Sequence, residues 1–331
     1  MKKQKIKECR RCINTSQNPH IYFDDSGRCN ICRAYQKNFS LIKLKQERVL
    51  FNRLVKNSPG KYGLMVGLSG GKDSSATLAK IQQLGYRPLT FTLDTSYLPD
   101  YILQRAKAVA KKLGVEHKII PLQPYFTATD RQRFCQLVKL YQRNRPAEFC
   151  QAYAAGRVNY SGLVRPCWTC RRILICAYYQ EALKHGVRVV VLAINEWASL
   201  KSTTQKGQAW GVSAVRKIKP FKNKPAVYIV HWPFLQQMKL KDTRQILKKI
   251  GWHYYGSVQS NASSCLLAKA AERQLKKNLG FHPDTTRLAR EVTVGFLTKK
   301  EAQCALNKNN YSKYSVSQVL RKAKLIYPPK F

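Results

Sequence analysis

Short apolar runs alternate with helix-permissive stretches in the first half of the chain, and this alternation predicts the central fold. Residues 62–68, 87–94 and 117–122 are each short and rich in apolar or β-branched side chains, as buried strands are. The helical stretches between them end at Gly85 and Gly114, because glycine readily stops a helix. Strands and helices that alternate with short links predict an α/β fold with a doubly wound, mostly parallel sheet.

The remaining pattern adds elements after this block. A helical segment leads into a further strand at residues 186–193, and a helix over residues 242–250 follows the segment Pro233-Phe-Leu. Thr285 or Thr298 would provide N-caps for helices in the C-terminal third, because threonine hydroxyls accept bonds from helix N–H groups.

Four consecutive regions follow from these patterns. They are a metal-binding knuckle (residues 1–35), a connecting helix and linker (36–60), the main α/β domain (61–255) and a helical, basic C-terminal region (256–331). Residues 308–331 mix Lys, Arg and Tyr, so this end of the chain would either follow a nucleic-acid backbone or be a solvated tail.

Length and composition exclude several classes of protein. The chain has 331 residues, of which 44% are hydrophobic, and can bury a substantial core. Its apolar runs fall far short of the roughly 20 residues that span a bilayer, and no apolar segment follows the charged N-terminus. We therefore expect neither a secreted nor a membrane protein, but a cytoplasmic one.

The charge balance changes the picture most. Lys and Arg number 60 against 17 Asp and Glu, which gives a formal net charge of +43. The basic residues run along the whole chain, so we expect a folded body with a basic surface. Such a surface favours nucleic acid as the partner, although a basic bias of the whole proteome would also produce it.

Two Cys-x-x-Cys pairs near the N-terminus predict a metal site. Cys9 and Cys12 are separated by sixteen residues from Cys29 and Cys32. Two thiolate pairs on tight turns can close a tetrahedral zinc site, and four sulfur ligands favour a structural role. The alternative, four free thiols in a mobile arm, gains nothing from this spacing.

A glycine-rich loop, residues 69–74, lies between the first predicted strand and its helix. We call it the phosphate loop, because backbone N–H groups at such a helix N-terminus bind anions. It is not a Walker A loop, since Val66 stands where that motif needs glycine and Asp73 where it needs Ser or Thr.

The sequence Ser69-Gly-Gly-Lys-Asp-Ser74 resembles the signature of the N-type ATP pyrophosphatase (PP-loop) superfamily. This resemblance implies that ATP is cleaved between its α- and β-phosphates and that AMP is transferred to a substrate oxygen. Lys72 would neutralise developing charge, and Asp73 would help to place Mg²⁺. The residues implied to bind the nucleotide are Ser69, Gly70, Gly71, Lys72, Asp73, Ser74 and Asp94.

A third Cys-x-x-Cys pair, Cys167 and Cys170, is followed by basic residues and resembles that of the tRNA-thiolating branch of this superfamily. That branch has a third cysteine downstream, and Cys265 stands at the corresponding place. Three thiolates would suit a [4Fe–4S] cluster with an open position, or a persulfide pair. Residues 193–199 depart from the pattern of that branch, and a structural zinc site or a redox pair is the alternative for Cys167 and Cys170.

The N-terminal pairs carry a competing resemblance. The segment from Cys9 to Cys32 is similar to the knuckle of N-acetyl sugar amidotransferases, which also place a PP-loop domain after it. That family transfers ammonia to a nucleotide-sugar precursor. The middle cysteine pair is not part of its pattern.

These observations lead to a preferred hypothesis and two alternatives. An ATP-dependent adenylating enzyme would transfer sulfur to a tRNA base, with Lys72, Asp73 and the three cysteines as catalytic residues. Its cofactors would be ATP, Mg²⁺, Zn²⁺ and, as one option, an iron–sulfur cluster. Its partners would be tRNA and a sulfur-donor protein or sulfide, with no membrane, and a homodimer is left open. The alternatives are a sugar amidotransferase and a non-catalytic RNA-binding protein.

Overall fold

The computed structural model describes residues 6–159, 164–203, 208–219, 223–252, 264–308 and 312–326. Within these ranges no helix is both long and apolar enough to cross a bilayer.

A six-stranded sheet organises the chain. In spatial order its strands are β3 (His117–Pro121), β2 (Pro88–Asp94), β1 (Leu64–Gly67), β4 (Val189–Leu192), β8 (Val227–His231) and β7 (Val215–Ile218). All neighbours are parallel except β7, which runs antiparallel to β8 at one edge. A separate antiparallel pair is formed by β5 (Ser199–Thr203) and β6 (Gln208–Ser213). The predicted doubly wound α/β fold is confirmed.

Helices cover both faces of the sheet. Before it come α1 (Asn30–Asn38) and α2 (Leu41–Lys56), where the sequence predicted one connecting helix. The helices of the main domain are α3 (Lys72–Gln83), α4 (Asp100–Lys112), α5 (Ala128–Arg143), α6 (Pro146–Asn159), α7 (Pro166–Lys184), α8 (Trp232–Leu235) and α9 (Leu240–Lys249). Those near the C-terminus are α10 (Leu266–Leu279), α11 (Thr285–Thr293), α12 (Lys299–Asn307) and α13 (Val316–Lys322).

Alternate residues of the central strands enter two separate cores. Leu64 and Val66 pack with α2, α3, α4, α9, α11 and the N-terminal cysteines, whereas Met65 packs with α5, α7, α10 and α13. Val190 of β4 joins the second core and its two neighbours join the first. This period of two places apolar residues on both faces, as a parallel sheet covered by helices requires.

The strand order reverses between β1 and β4. From β1 the chain moves outward through β2 and β3, and then returns to the other side of β1 as β4. In open α/β sheets ligands bind in the crevice beyond the carboxyl ends of the strands at such a point. The fold therefore places the candidate site where β1 and β4 end.

The C-terminal third corrects two expectations. Asp284, not Thr285, is the N-cap of α11, while Thr298 caps α12 with a capping box to Glu301 as predicted. The described part of the basic C-terminal segment is not a solvated tail, because α13 buries Val316, Val319 and Leu320 in the second core. Apolar side chains every three to four residues explain this packing.

Candidate active site and metal centre

The phosphate loop follows β1 and leads directly into α3. Gly70 has a φ of +66°, and a Cβ added there would come within 2.6 Å of the backbone of Arg105 in α4. Only glycine combines that conformation with that close approach. The loop is therefore held tightly between α3 and α4.

The loop leaves the start of α3 open to an anion. Gly71 is the N-cap of this helix and offers no side-chain cap, so the first N–H groups lack helical partners. The Ser69 and Ser74 hydroxyl oxygens lie 3.1 Å apart, and the Ser69 N–H donates to Ser74 Oγ at 3.2 Å. Free N–H groups, two hydroxyls and the positive end of α3 suit a phosphate group.

Lys72 and Asp73 form an ion pair at this helix terminus. The Lys72 ammonium also lies 5.7 Å from the centre of the Phe296 ring. Among the described residues, Asp73 Oδ1 is buried and has no hydrogen-bond partner. An unpartnered carboxylate oxygen beside a phosphate site is a fitting ligand for Mg²⁺, so these residues could hold the ion.

Asp94 ends β2, the strand next to β1, and so lies at the same edge of the sheet. Its Oδ1 accepts the N–H of Ser96 at 2.8 Å, and Ser96 has a φ of +62°. This turn directs the chain toward Tyr97, which is buried. Asp94 thus borders the crevice, as its predicted role near the nucleotide requires.

Helix α11 contributes charged residues near the phosphate loop. Nothing in the sequence gave a reason to select these residues. Arg287 donates to Glu291 Oε1 at 2.7 Å and to Asp284 Oδ2 at 2.7 Å. Burial raises the pKa of the Glu291 carboxyl, while Arg287 lowers it, Asp73 raises it and Lys72 lowers it. Glu291 therefore lies within electrostatic reach of both charged residues of the loop.

A buried acid, Glu196, follows β4 in residues 193–199, the segment that differs from the pattern of the tRNA-thiolating branch. Glu196 pairs with Arg290 of α11, yet burial raises the pKa of its carboxyl to about 7. Its backbone carbonyl lies 2.7 Å from His231 Nδ1 at the end of β8. Burial lowers the pKa of His231 to about 4, so this imidazole is neutral near pH 7.

The structure brings the cysteine trio, defined as Cys167, Cys170 and Cys265, to one region. The Tyr97 hydroxyl lies 2.8 Å from Cys170 Sγ. The Tyr97 carbonyl accepts the N–H of Leu266 at 3.1 Å, which holds the residue after Cys265 against the same tyrosine. Cys167 lies in the first turn of α7 and Cys170 at the start of its second turn.

Within the trio, neighbouring thiols affect the pKa of Cys170 and of Cys265. Burial raises the pKa of Cys170, and the neighbouring Cys265 and Cys167 raise it further. Burial also raises the pKa of Cys265 to about 12, with Cys167 acting in the same direction. For Cys167 burial raises the pKa, Arg165 lowers it and Asp284 raises it. A lone thiolate in this region needs a compensating cation or hydrogen bond.

A cavity of about 20 Å³ lies against Cys167, room for about one water molecule. Its polar lining comes from Arg165, Glu272 and Asp284, and the remainder is from Pro166, Ala268, Ala271, Leu275 and Pro283. Arg165 forms an ion pair with Asp284 at 3.4 Å. Asp284 therefore connects the surroundings of Cys167 to Arg287 and so to the phosphate loop.

The N-terminal knuckle is formed as predicted. The Sγ atoms of Cys9, Cys12, Cys29 and Cys32 are buried and lie within 4.8 Å of one another. Among the described residues they are the one such group of three or more metal-ligating side chains. A turn from Asp24 to Gly27 leads to the second pair, and an isolated β-bridge joins Phe23 to Cys29.

The donor set of the knuckle fits a soft divalent metal. Hydrogen bonds with Cys29 and Cys32, and then burial, raise the pKa of Cys12. Bonds from Cys12 and Cys32 lower the pKa of Cys29 to about 2. Four thiols so close can all ionise only beside a cation, and zinc supplies that charge with tetrahedral geometry.

The remaining four cysteines belong neither to the trio nor to the knuckle. Cys135, Cys150 and Cys304 are exposed and Cys176 is half-buried. His282 lies near Glu272 at 3.6 Å and His185 near Glu181 at 3.6 Å. His253 lies outside the described residues.

The structure adds functional candidates that the sequence did not reveal, namely one buried tyrosine and several charged or titratable residues around the phosphate loop and the trio. They are Tyr97, Arg165, Glu196, His231, Asp284, Arg287, Arg290 and Glu291. The spacing of Arg287, Arg290 and Glu291 marks one side of a helix, but nothing in it shows that the helix faces the phosphate loop. Contacts so distant in sequence leave no local signal.

Comparisons with known proteins agree with this geometry. The family model described as NAD synthase matches residues 44–160. Over 320 residues the chain is 22% identical to the uncharacterized protein MJ1599 of Methanocaldococcus jannaschii, covering 95% of this chain and 98% of that protein. It is 29% identical over 122 residues to the tRNA-specific 2-thiouridylase MnmA of Desulforudis audaxviator, which covers 37% of this chain and 29% of that enzyme.

A solved structure gives a weaker similarity. The NMN synthetase of Francisella tularensis matches with a TM-score of 0.35 and 16% identity, over 89% of this chain and 100% of that chain. The assignment rests instead on the intact phosphate loop, its place at the end of β1 and the family-model and thiouridylase matches. These features support the resemblance of the chain to the PP-loop superfamily of ATP-using enzymes.

Proposed function

We propose that this protein adenylates a tRNA base with ATP and replaces the activated oxygen by sulfur. The observation that carries the proposal is the position of the cysteine trio beside Tyr97, three residues after the strand end at Asp94. A sulfur carrier is useful only where an adenylated atom can reach it. The carboxyl edge of the sheet is where both would have to meet.

A continuous set of charged side chains links the two parts of the site. At one end, the charges of Lys72 and Asp73 affect the pKa of Glu291, which accepts a hydrogen bond from Arg287. Arg287 pairs with Asp284, which pairs with Arg165 beside Cys167. This series of charged contacts supports a site shared by the phosphate loop and the trio.

The chemistry follows from the placement of these groups. A carbonyl oxygen of the base attacks the α-phosphorus of ATP, and the bond to the β-phosphate breaks to release pyrophosphate. The N–H groups at the start of α3 and Lys72 stabilise the departing pyrophosphate. When bound at Asp73, Mg²⁺ would neutralise phosphate charge. Sulfur then attacks the activated carbon, and the original oxygen leaves with AMP.

The trio could present sulfur in two forms. A persulfide on one cysteine needs only a second thiol nearby, which this arrangement supplies. A [4Fe–4S] cluster would need three thiolates around it, and within the described residues only the knuckle gathers its sulfurs so closely. The geometry therefore favours the persulfide, in which the persulfide of a donor protein passes its outer sulfur to one thiol of the trio. After that sulfur has attacked the activated carbon, a second thiol breaks the bond to the carrier cysteine, forms a disulfide with it and leaves the sulfur on the base.

The charge of the chain supports RNA as the substrate. A net charge of +43 would repel a basic protein partner and attract a polyphosphate. We propose tRNA because the thiouridylase similarity and the trio point to the same class of reaction. Zinc in the knuckle would have a structural role.

An amidotransferase is the second candidate, and one observation favours it. The knuckle, which resembles that of N-acetyl sugar amidotransferases, is fully formed with four buried sulfurs. In that case ammonia would attack the adenylated atom, and the trio would have no role as a sulfur carrier.

Cysteine variants separate the two candidates. We would purify the protein without oxygen, measure iron, sulfide and zinc, and assay thiolation of bulk tRNA by nucleoside mass spectrometry. A persulfide pair needs a carrier and a resolving thiol, so at least two of Cys167→Ser, Cys170→Ser and Cys265→Ser should abolish thiolation, whereas the exposed control Cys135→Ser should retain it. Thiolation that persists in all three variants would contradict sulfur transfer through the trio.

A further inference from the structure

Helix α11 contacts the knuckle at one side and the phosphate-loop region at another. Thr286 and Thr293 are seven residues apart, so they share one face of the helix. Arg287 and Glu291 are four residues apart and share a neighbouring face. The two faces have different partners, and this makes α11 a rigid connection between two sites that are far apart in sequence.

The knuckle holds α11 by both of its ends. The buried Asn18 donates to Thr286 Oγ1 at 3.1 Å near the N-terminus. At the C-terminus, Cys32 Sγ lies 3.2 Å from the Thr293 hydroxyl, and Arg11 donates to the Thr293 carbonyl at 3.1 Å. A metal ligand of the knuckle thus touches α11 directly.

The following residues extend this attachment. Lys299, at the start of α12, donates to the Cys9 carbonyl at 2.8 Å. The Phe296 N–H donates to the Glu291 carbonyl at 2.9 Å, and the Phe296 ring lies beneath the Lys72 ammonium. The turn after α11 is therefore fixed to the knuckle on one side and to the phosphate loop on the other.

The opposite contacts of α11 are charged and buried. Glu291 and Asp284 are buried on either side of Arg287, and the cluster includes the Glu196–Arg290 pair. A buried ion cluster contributes little net stability, but breaking its geometry is costly because a charge is left uncompensated. Its arrangement depends on α11 being held in place from outside.

We infer that the knuckle, acting through α11 and the turn after it, positions Phe296 and Glu291 beside Lys72 and thereby determines how tightly the phosphate loop binds ATP. Arg11 and Thr293 are then positioning residues that never touch the nucleotide. This inference rests on the proposed use of the loop for ATP, but not on sulfur transfer. It gives the knuckle a role beyond local stability.

Two variants break the connection without removing a metal ligand. Arg11→Ala removes the bond to the Thr293 carbonyl, and Thr293→Val removes the hydroxyl beside Cys32 at similar volume. Arg28→Ala is the matched control, because Arg28 also belongs to the knuckle but bonds to Gln36 of α1. Thr293→Ser restores the hydroxyl and serves as the rescue.

We would measure zinc content, melting temperature, the Kd for α,β-methylene-ATP and hydrogen exchange of residues 69–75. Arg11→Ala and Thr293→Val should weaken nucleotide binding at least fivefold and speed exchange in the loop, with zinc content unchanged. Arg28→Ala and Thr293→Ser should match the wild type. If Thr293→Val does not fold, Arg11→Ala gives the same comparison.

The outcomes separate this inference from the proposed reaction. Unchanged affinity and exchange in Arg11→Ala would overturn the inference while leaving the ATP site intact. Weakened nucleotide binding in a protein that fails to thiolate tRNA would support the inference and contradict sulfur transfer. A wild-type protein that binds no nucleotide would overturn both.

Discussion

The Tyr97 hydroxyl lies 2.8 Å from Cys170 Sγ in a buried setting between β2 and α7. Burial raises the pKa of Tyr97 well above its usual range, and the charges of the cysteine trio raise it further. The phenol therefore keeps its proton and can donate to a thiolate. In turn its hydrogen bond lowers the pKa of Cys170 against the larger effect of burial.

Tyr97→Phe should therefore make Cys170 less reactive. Loss of the donor raises the pKa of the thiol, so alkylation of Cys170 should shift to higher pH, and thiolation should fall about tenfold. ATP binding should stay unchanged. Peptide-resolved alkylation rates against pH measure the first effect; a profile identical to wild type would contradict the role assigned to this phenol.

Glu196 gives the protein a pH dependence of known sign. Its pKa rises to about 7 on folding because burial disfavours the carboxylate, so the folded state holds its proton over a pH range where the unfolded state has lost it. Stability should therefore fall as pH rises from about 4.5 to 7. Glu196→Gln should flatten this part of the curve in urea unfolding. An equally steep curve in the variant would exclude Glu196 as its source.

Removing one knuckle ligand should cost stability and metal together. Cys29→Ser leaves three sulfurs, which bind zinc more weakly, so the folding free energy that the metal contributes is lost. We expect bound zinc to fall from about one ion per chain toward zero and the melting temperature to drop by several degrees. Cys150→Ser, at an exposed position, is the control. Full stability without metal would show that the knuckle needs none.

Binding of tRNA should weaken steeply with salt. Neutralising phosphates releases counterions, so the logarithm of the affinity should fall against the logarithm of salt with a slope of about −0.7 to −0.9 per contacted phosphate. Filter binding at KCl concentrations from about 50 to about 200 mM measures this slope. A protein that does not bind tRNA even at low salt would leave the charge of +43 unexplained by RNA.

The sequence predicted what depends on local pattern. The strand and helix order through β3, the phosphate loop and the knuckle follow from periodicity and spacing, and each is confirmed in the structure. The surroundings of the loop were not predictable, because Glu291 and Phe296 reach Lys72 from more than two hundred residues away. The proximity of Cys265 to Cys170 depended on a resemblance, since only the fold joins them through Tyr97.

The stoichiometry of the reaction tests the central claim most directly. Wild type and Asp73→Asn would be incubated with ATP labelled at the α-phosphate, a persulfide donor with a thiol reductant, and unmodified tRNA. AMP, ADP, pyrophosphate (by a coupled assay) and thiolated nucleoside would be counted. The account predicts one AMP and one pyrophosphate per thiolated base, with at least a hundredfold loss in the variant and unchanged folding by circular dichroism. ADP and orthophosphate as the first products, or AMP formed in step with an amidated sugar while tRNA stays unmodified, would contradict it.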